Sequence, residues 1–200
     1  YITEGHALKG VLKADMENIR STMEKIDYNT FEDVVNNIFA AKRIYIIGLR
    51  SSMALAEFLG FYLNIILQNV KTVGYGISDI FEQMINVGEG DLVIGIGFPR
   101  YASRTIDALA FAQDRGATVV AVTDSFLSPL AARADYSLIA QSNMASFVDS
   151  LVAPLSVINA LIIAVGMREK ENISSTFNSL EEIWREYNVY SYNNRNVGDD

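Results

Sequence analysis

Between residues 43 and 140, five short, almost unbroken apolar runs alternate with polar, helix-patterned stretches. The runs are "RIYIIG", "VKTVGYG", "DLVIGIG", "ATVVAVTD" and "DYSLIA", and the helical stretches begin near Ser52, Ser78, Ala102 and Ser128. A strand that is apolar on both faces belongs to a parallel sheet covered on both sides, and helices between successive strands supply that cover. The pattern predicts a three-layer α/β/α sandwich, doubly wound around a five-stranded parallel sheet. Right-handed crossovers place each strand-to-helix loop at the carboxyl edge of the sheet, where ligands bind at the switch in strand order. The turns after Ile47 and Ile96 are therefore the loops of interest.

Upstream, Leu12, Met16, Ile19, Met23 and Ile26 recur at alternating spacings of four and three, drawing a narrow apolar seam on one helix face. Such a seam serves either a helix packed on its own domain or one shared with a partner subunit, and two heptads do not decide between them. Thr30 followed by Asp33 is close to a capping box and predicts a second helix opening at Thr30. Downstream, "FVDSLVAPLSVINALIIAVGM" holds Asp149, Pro154 and Asn159, which favours a core or interface helix from Phe147 to Met167 over a membrane span. The expected organisation is an N-terminal linker or dimer helix over residues 1–29, a single domain over 30–187 and a frayed polar tail over 188–200.

Composition narrows the chemistry. The chain has 200 residues, 50% of them apolar and 20% charged, which suits one compact domain. With no cysteine and a single histidine, His6, thiolate and histidine metal clusters are excluded, and no metal or cofactor is expected. No signal peptide is visible, and the expected setting is reducing and cytoplasmic. A net charge of -8 opposes general attraction to nucleic acid. The sequence opens at Tyr1 without an initiator Met, which suggests a piece of a longer protein.

The first turn, "GLRSS", offers Arg50, Ser51 and Ser52 at a helix start, where unpaired N–H groups and a partial positive charge favour an anion. Ser52 is either an N-cap or a phosphate contact, and Arg50 favours phosphate because a guanidinium pairs with it bidentately. The second loop, "IGFPRYASRT", supplies Arg100, Tyr101, Ser103, Arg104 and Thr105, with Pro99 fixing the turn and Gly97 allowing close approach. Arg104 reads as a solvated helix residue, and Arg100 as a ligand contact. A dinucleotide fingerprint fails because its third glycine is missing after both strands, and neither a P-loop nor a G-x-S-x-G elbow occurs.

Together "IYIIGLRSSMALA", "GDLVIGIGFPRYASRTIDAL", "GATVVAVTDSFLSPLAARADYSL" and the "FVDS" segment resemble the sugar isomerase (SIS) domain, most closely the effector domain of RpiR-type transcriptional regulators. The resemblance runs from the first helix to about residue 168. It implies a dimerising five-stranded sandwich that senses a phosphorylated sugar, with a helix-turn-helix DNA-binding domain absent from this chain. Ser52 matches the family serine of the first phosphate loop, and Ser51 the small polar residue before it. Departures lie in the second loop: Gly97 stands where the pattern opens with serine, Ala102 where it has Thr or Ser, and Pro99-Arg100-Tyr101 replace a Ser-Gly pair. "FPRY" is itself similar to a subgroup of these regulators.

The expected function is thus a cytoplasmic, phosphosugar-sensing regulatory domain that is no enzyme. It acts as a homodimer or higher homo-oligomer, reaching DNA only through another domain and no membrane. Its ligand residues would be Arg50, Ser51, Ser52, Gly97, Arg100, Tyr101 and Ser103. The alternatives are an aldose–ketose phosphosugar isomerase, for which Glu57 and Glu82 are the candidate bases, and a dimerisation module that has lost its ligand.

Overall fold

The computed structural model describes residues 3–191. Strands β1 (Ile44–Gly48), β2 (Val70–Val73), β3 (Leu92–Ile96), β4 (Thr118–Thr123) and β5 (Tyr136–Ile139) form one parallel sheet in the order β2-β1-β3-β4-β5. Each strand is one of the five apolar runs, trimmed at its ends. The register sets Ile46, Ile94 and Val120 side by side across the centre of the sheet.

Helices α1 (Glu4–Lys25), α2 (Tyr28–Ala40), α3 (Met53–Leu67), α4 (Ile80–Gln83), α5 (Ser103–Asp114), α6 (Val152–Arg168) and α7 (Lys170–Glu186) complete the chain. The pleat sends Ile44, Ile46, Ile94 and Val120 to one face, where α2, α3 and α6 bury them with Val34, Leu59 and Leu161. Tyr45, Ile47, Val93 and Val119 go to the other face, against α4 and α5 with Ile80 and Leu109. Both faces are dry over β1, β3 and β4, which carry no polar alternation, whereas edge strand β2 exposes Lys71 and Thr72.

Three local expectations change. The N-cap of α2 is Asp27 rather than Thr30: its carboxylate accepts from the Thr30 N–H at 3.0 Å and from the Thr30 hydroxyl at 2.6 Å. No α-helix begins at Ser128. The β4–β5 connection holds only a 3-10 turn, Ala131–Arg133, because buried Ser128 receives the Thr123 hydroxyl at 3.0 Å and the Ala131 N–H at 3.1 Å, ending the segment locally. Helix α6 starts at Val152 instead of Phe147, since Pro154 is tolerated only in a first turn. Phe147 and Val148 consequently lie exposed in the loop before it.

The seam of α1 is not what packs that helix on the domain. Its buried residues are Asn18 and Thr22, while Met16 and Met23 of the apolar seam are 69% and 61% exposed. Only Ile26, at the end of the seam, packs against the core. The helix therefore lies on its own domain through a polar face and turns its apolar face outward. Among the described residues no single helix is long and apolar enough to cross a membrane. The proposed polar tail lies outside the described residues from position 192 onward.

The strand order reverses between β1 and β3, so the loops leaving these neighbours diverge to opposite faces and leave a crevice. Gly48 closes β1 at this point. A Cβ there would lie 2.7 Å from the Ser52 carbonyl and 3.2 Å from the Ile96 carbonyl, both rigid backbone. Gly48→Ala is expected to destabilise the chain by about 1–3 kcal/mol, read from the urea midpoint, because neither carbonyl can retreat without moving its loop.

Candidate functional site

A cavity of about 630 Å³ opens at this crevice, lined by Leu49, Arg50, Ser51, Tyr75, Arg100, Tyr101, Ala102, Ser103, Arg104 and Asp149. Three loops meet here: the β1–α3 turn, the β3–α5 loop and the segment before α6. The β1–α3 turn is a 3-10 turn, Arg50–Ser52, running directly into α3, and no side chain caps either start. Helix α5 is likewise uncapped, since its N-cap residue is Ala102. Two helix N-termini thus face one cavity with their positive ends unsatisfied by side chains.

Arg50 holds φ at 59°, in the left-handed region that costs a non-glycine residue on the order of 1 kcal/mol. Arg50 and Arg100 are exposed at the cavity wall, and among the described residues neither guanidinium has a hydrogen-bond or ion-pair partner. Arg104 is different: its guanidinium pairs with Asp79 and lies 5.3 Å from the centre of the Phe81 ring. The cavity therefore presents two unpaired cations and a third already engaged.

Tyr101 is spoken for on one side. Its hydroxyl donates to Asp124 Oδ1 at 2.7 Å, tying the β3–α5 loop to the end of β4. Burial, then this hydrogen bond to a carboxylate, push the phenol well above its ordinary range, so Tyr101 remains a donor and is no base. Ser51 donates its hydroxyl to Asp149 Oδ2 at 2.9 Å, across 98 residues of sequence.

Of the seven residues singled out from sequence, Arg50, Ser51, Arg100, Tyr101 and Ser103 line this cavity and two do not. Ser52 is buried behind the turn at 4% exposure. At Gly97 a Cβ would point at Leu130, 2.8 Å from its Cδ2, in the core rather than the cavity. Gly97 also lies outside the positive-φ set, so backbone strain is not the obstacle to a side chain there.

Neither candidate base reaches the wall. Glu57 lines shallow grooves beside α3 and β2, and the Glu82 carboxylate accepts the Asp79 N–H at 2.7 Å as half of a capping box. Sequence reasoning missed Asp149 and Tyr75 and undervalued Arg104. An acid isolated within a long apolar run was the available signal for Asp149. Among the described residues no cluster of side chains is arranged to hold a metal ion.

The pattern of the SIS domain family matches residues 37–164. Among solved structures, the sugar isomerase domain of an RpiR transcription factor from Sphaerobacter thermophilus is 31% identical, with a TM-score of 0.82. That likeness covers 86% of this chain and 96% of the other. The NanR protein of Vibrio vulnificus, solved in complex with ManNAc-6P, shares the fold at a TM-score of 0.76 and 17% identity, over 92% of this chain and 70% of that one. An uncharacterized HTH-type transcriptional regulator of Haemophilus influenzae is 28% identical over 161 residues, which is 78% of this chain but only 55% of that regulator.

Gly97→Ser is expected to destabilise the chain by about 1–3 kcal/mol through crowding at Leu130, and to leave phosphate affinity unimproved. Urea denaturation and a calorimetric titration check the two halves of that statement.

Proposed function

The chain belongs to the SIS domain family and is related to HTH-type transcriptional regulators, and from that premise we propose that it senses a small sugar phosphate. The observation that carries this reading is the pair of unpaired guanidiniums, Arg50 and Arg100, facing the same cavity as two uncapped helix N-termini. An unpaired cation beside a helix N-terminus is repelled by that helix's own dipole. A dianionic phosphate between them removes the conflict, accepting bidentately from each arginine and from backbone N–H groups. Tyr75 and Ser103 then lie beside the sugar hydroxyls. Phosphosugar binding by NanR, a fold relative, supports the same assignment.

The proposal extends to a regulatory role in the cytoplasm. Ligand occupancy is passed through α1 to a helix-turn-helix domain that lies outside this chain, and the sensing domain works as a homodimer. The dimer surface is the exposed seam of α1 together with an adjoining apolar groove of about 340 Å³ between α1, α2 and α6, lined by Ile19, Met23, Phe31 and Val157. Among the described residues that line the cavity, Asp149 is the one acid an isomerase reading can offer as a base. Asp149 already accepts the Ser51 hydroxyl and faces the anion, which disfavours proton shuttling at the sugar carbons.

Screening sugar phosphates against their neutral sugars by thermal shift tests the sensor reading. A ligand at 100 times its Kd adds about 2.7 kcal/mol of stability, and only the phosphorylated forms are expected to do so. Arg100→Ala is expected to weaken the best ligand roughly 10- to 100-fold. Arg50→Gly is expected to weaken it comparably while leaving the urea midpoint unchanged or higher, because glycine accepts the left-handed backbone that arginine resists. Equal affinity in both variants contradicts the reading.

Light scattering at micromolar concentration is expected to give a dimer mass. Met16→Glu combined with Met23→Glu is expected to give a monomer with sugar-phosphate affinity intact, and a monomeric parent contradicts the dimer.

A further inference from the structure

Asp149 and Ser150 are consecutive residues whose side chains reach in two directions. Asp149 accepts the Ser51 hydroxyl at 2.9 Å inside the cavity. Ser150, buried, donates to Asp15 Oδ1 of α1 at 2.6 Å. The same loop meets α1 at two further points: Asn18 and Asn143 exchange a pair of hydrogen bonds of 3.0 and 3.2 Å, and the Gln141 N–H donates to Thr22 Oγ1 at 2.9 Å. The polar face on which α1 lies is therefore hung from a loop whose other attachment is the cavity wall.

A serine hydroxyl has one hydrogen to donate, so Ser51 serves either the Asp149 carboxylate or a ligand phosphate, not both. Asp149 is also the one acid on a wall that otherwise carries arginines, at the mouth of the uncapped α3 turn. We propose that Asp149 is the resident counter-anion of this site, standing where a phosphate oxygen will stand, and that an entering phosphate displaces it from Ser51. Losing Ser51 removes a side-chain bond that ties this loop to the β1–α3 turn, and the backbone of Ser150, bonded directly to that of Asp149, is freed to shift with it. The Ser150–Asp15 contact is then altered, and α1 shifts on its loop. Occupancy is thereby converted into a change at α1 by competition between two anions, which supplies the differential contact that any ligand-driven shift requires. This inference rests on the reading of the cavity as a phosphate site.

The test uses the whole chain and inorganic phosphate as the probe, with affinity from calorimetry and the α1 amides from Asp15 to Lys25 followed by hydrogen exchange. Asp149→Ala is expected to bind phosphate roughly tenfold more tightly than the parent, since both competition and repulsion are removed. Asp149→Asn, which keeps an acceptor for Ser51 but loses the charge, is expected to fall between them. In the parent, phosphate is expected to change α1 exchange. In Ser150→Ala, binding stays within about twofold while the exchange response disappears. If Arg100→Ala binds phosphate as well as the parent does, the phosphate reading itself fails. If Arg100→Ala loses binding but both Asp149 variants gain none, the site stands and the counter-anion is overturned. An α1 response that persists in Ser150→Ala overturns the relay.

Discussion

The reversal of strand order between β1 and β3 is the constraint from which the rest of the structure follows. A parallel sheet buried on both faces must send successive crossovers to one side or the other, and here the change of side falls between two adjacent strands. The β1 chain leaves toward α3 and the β3 chain toward α5, so two helix N-termini open onto a single crevice. Their dipoles both point positive ends at it, and neither is neutralised by a side-chain cap. A site for an anion is thus a consequence of topology before any functional side chain is considered.

Side chains then sharpen that generic field. Arg50 is held in a left-handed conformation at the turn, and Arg100 projects from the opposing loop, which Tyr101 clamps to Asp124. Glycines set the spacing: Gly48 lets β1 run between two carbonyls, and Gly97 lets Leu130 fill the core directly beneath the β3–α5 loop. A side chain at position 97 would crowd Leu130 in the core, so the hydroxyl that the resemblance leads one to expect there would not line the cavity. The guanidiniums of Arg50 and Arg100 supply charge at the cavity wall instead.

Much of this was legible in the sequence because it depends on short-range patterning. Five apolar runs became five strands, and the two loops chosen for inspection are those at the strand-order switch. The misreadings have two causes: local polar bonds and a proline that override the apparent helix starts at Thr30, Ser128 and Phe147, and contacts between residues distant along the chain. Ser128 looked like a helix start because its bond to Thr123 cannot be seen in one dimension, and Asp149 looked like mere punctuation in an apolar run because its partner, Ser51, is 98 positions away. The seam of α1 was visible, but which face the helix would bury was not. Polar pairing of Asn18 with Asn143 and of Thr22 with Gln141 decided that in favour of the polar face.

Under the proposed function, an apolar seam left outward on a helix whose polar face is tied to the cavity loop gives α1 two roles at once, as an interaction surface and as the element that feels the site. The second role depends on a phosphate binding where the two helix N-termini converge. The most direct measurement is a crystal structure of the chain grown with the tightest-binding sugar phosphate. The account predicts the phosphate group between Arg50 and Arg100, within hydrogen-bond distance of the α5 N-terminus, with Asp149 moved off Ser51. A phosphate bound elsewhere, or a sugar seated in the cavity with its phosphate turned out to solvent, would contradict it.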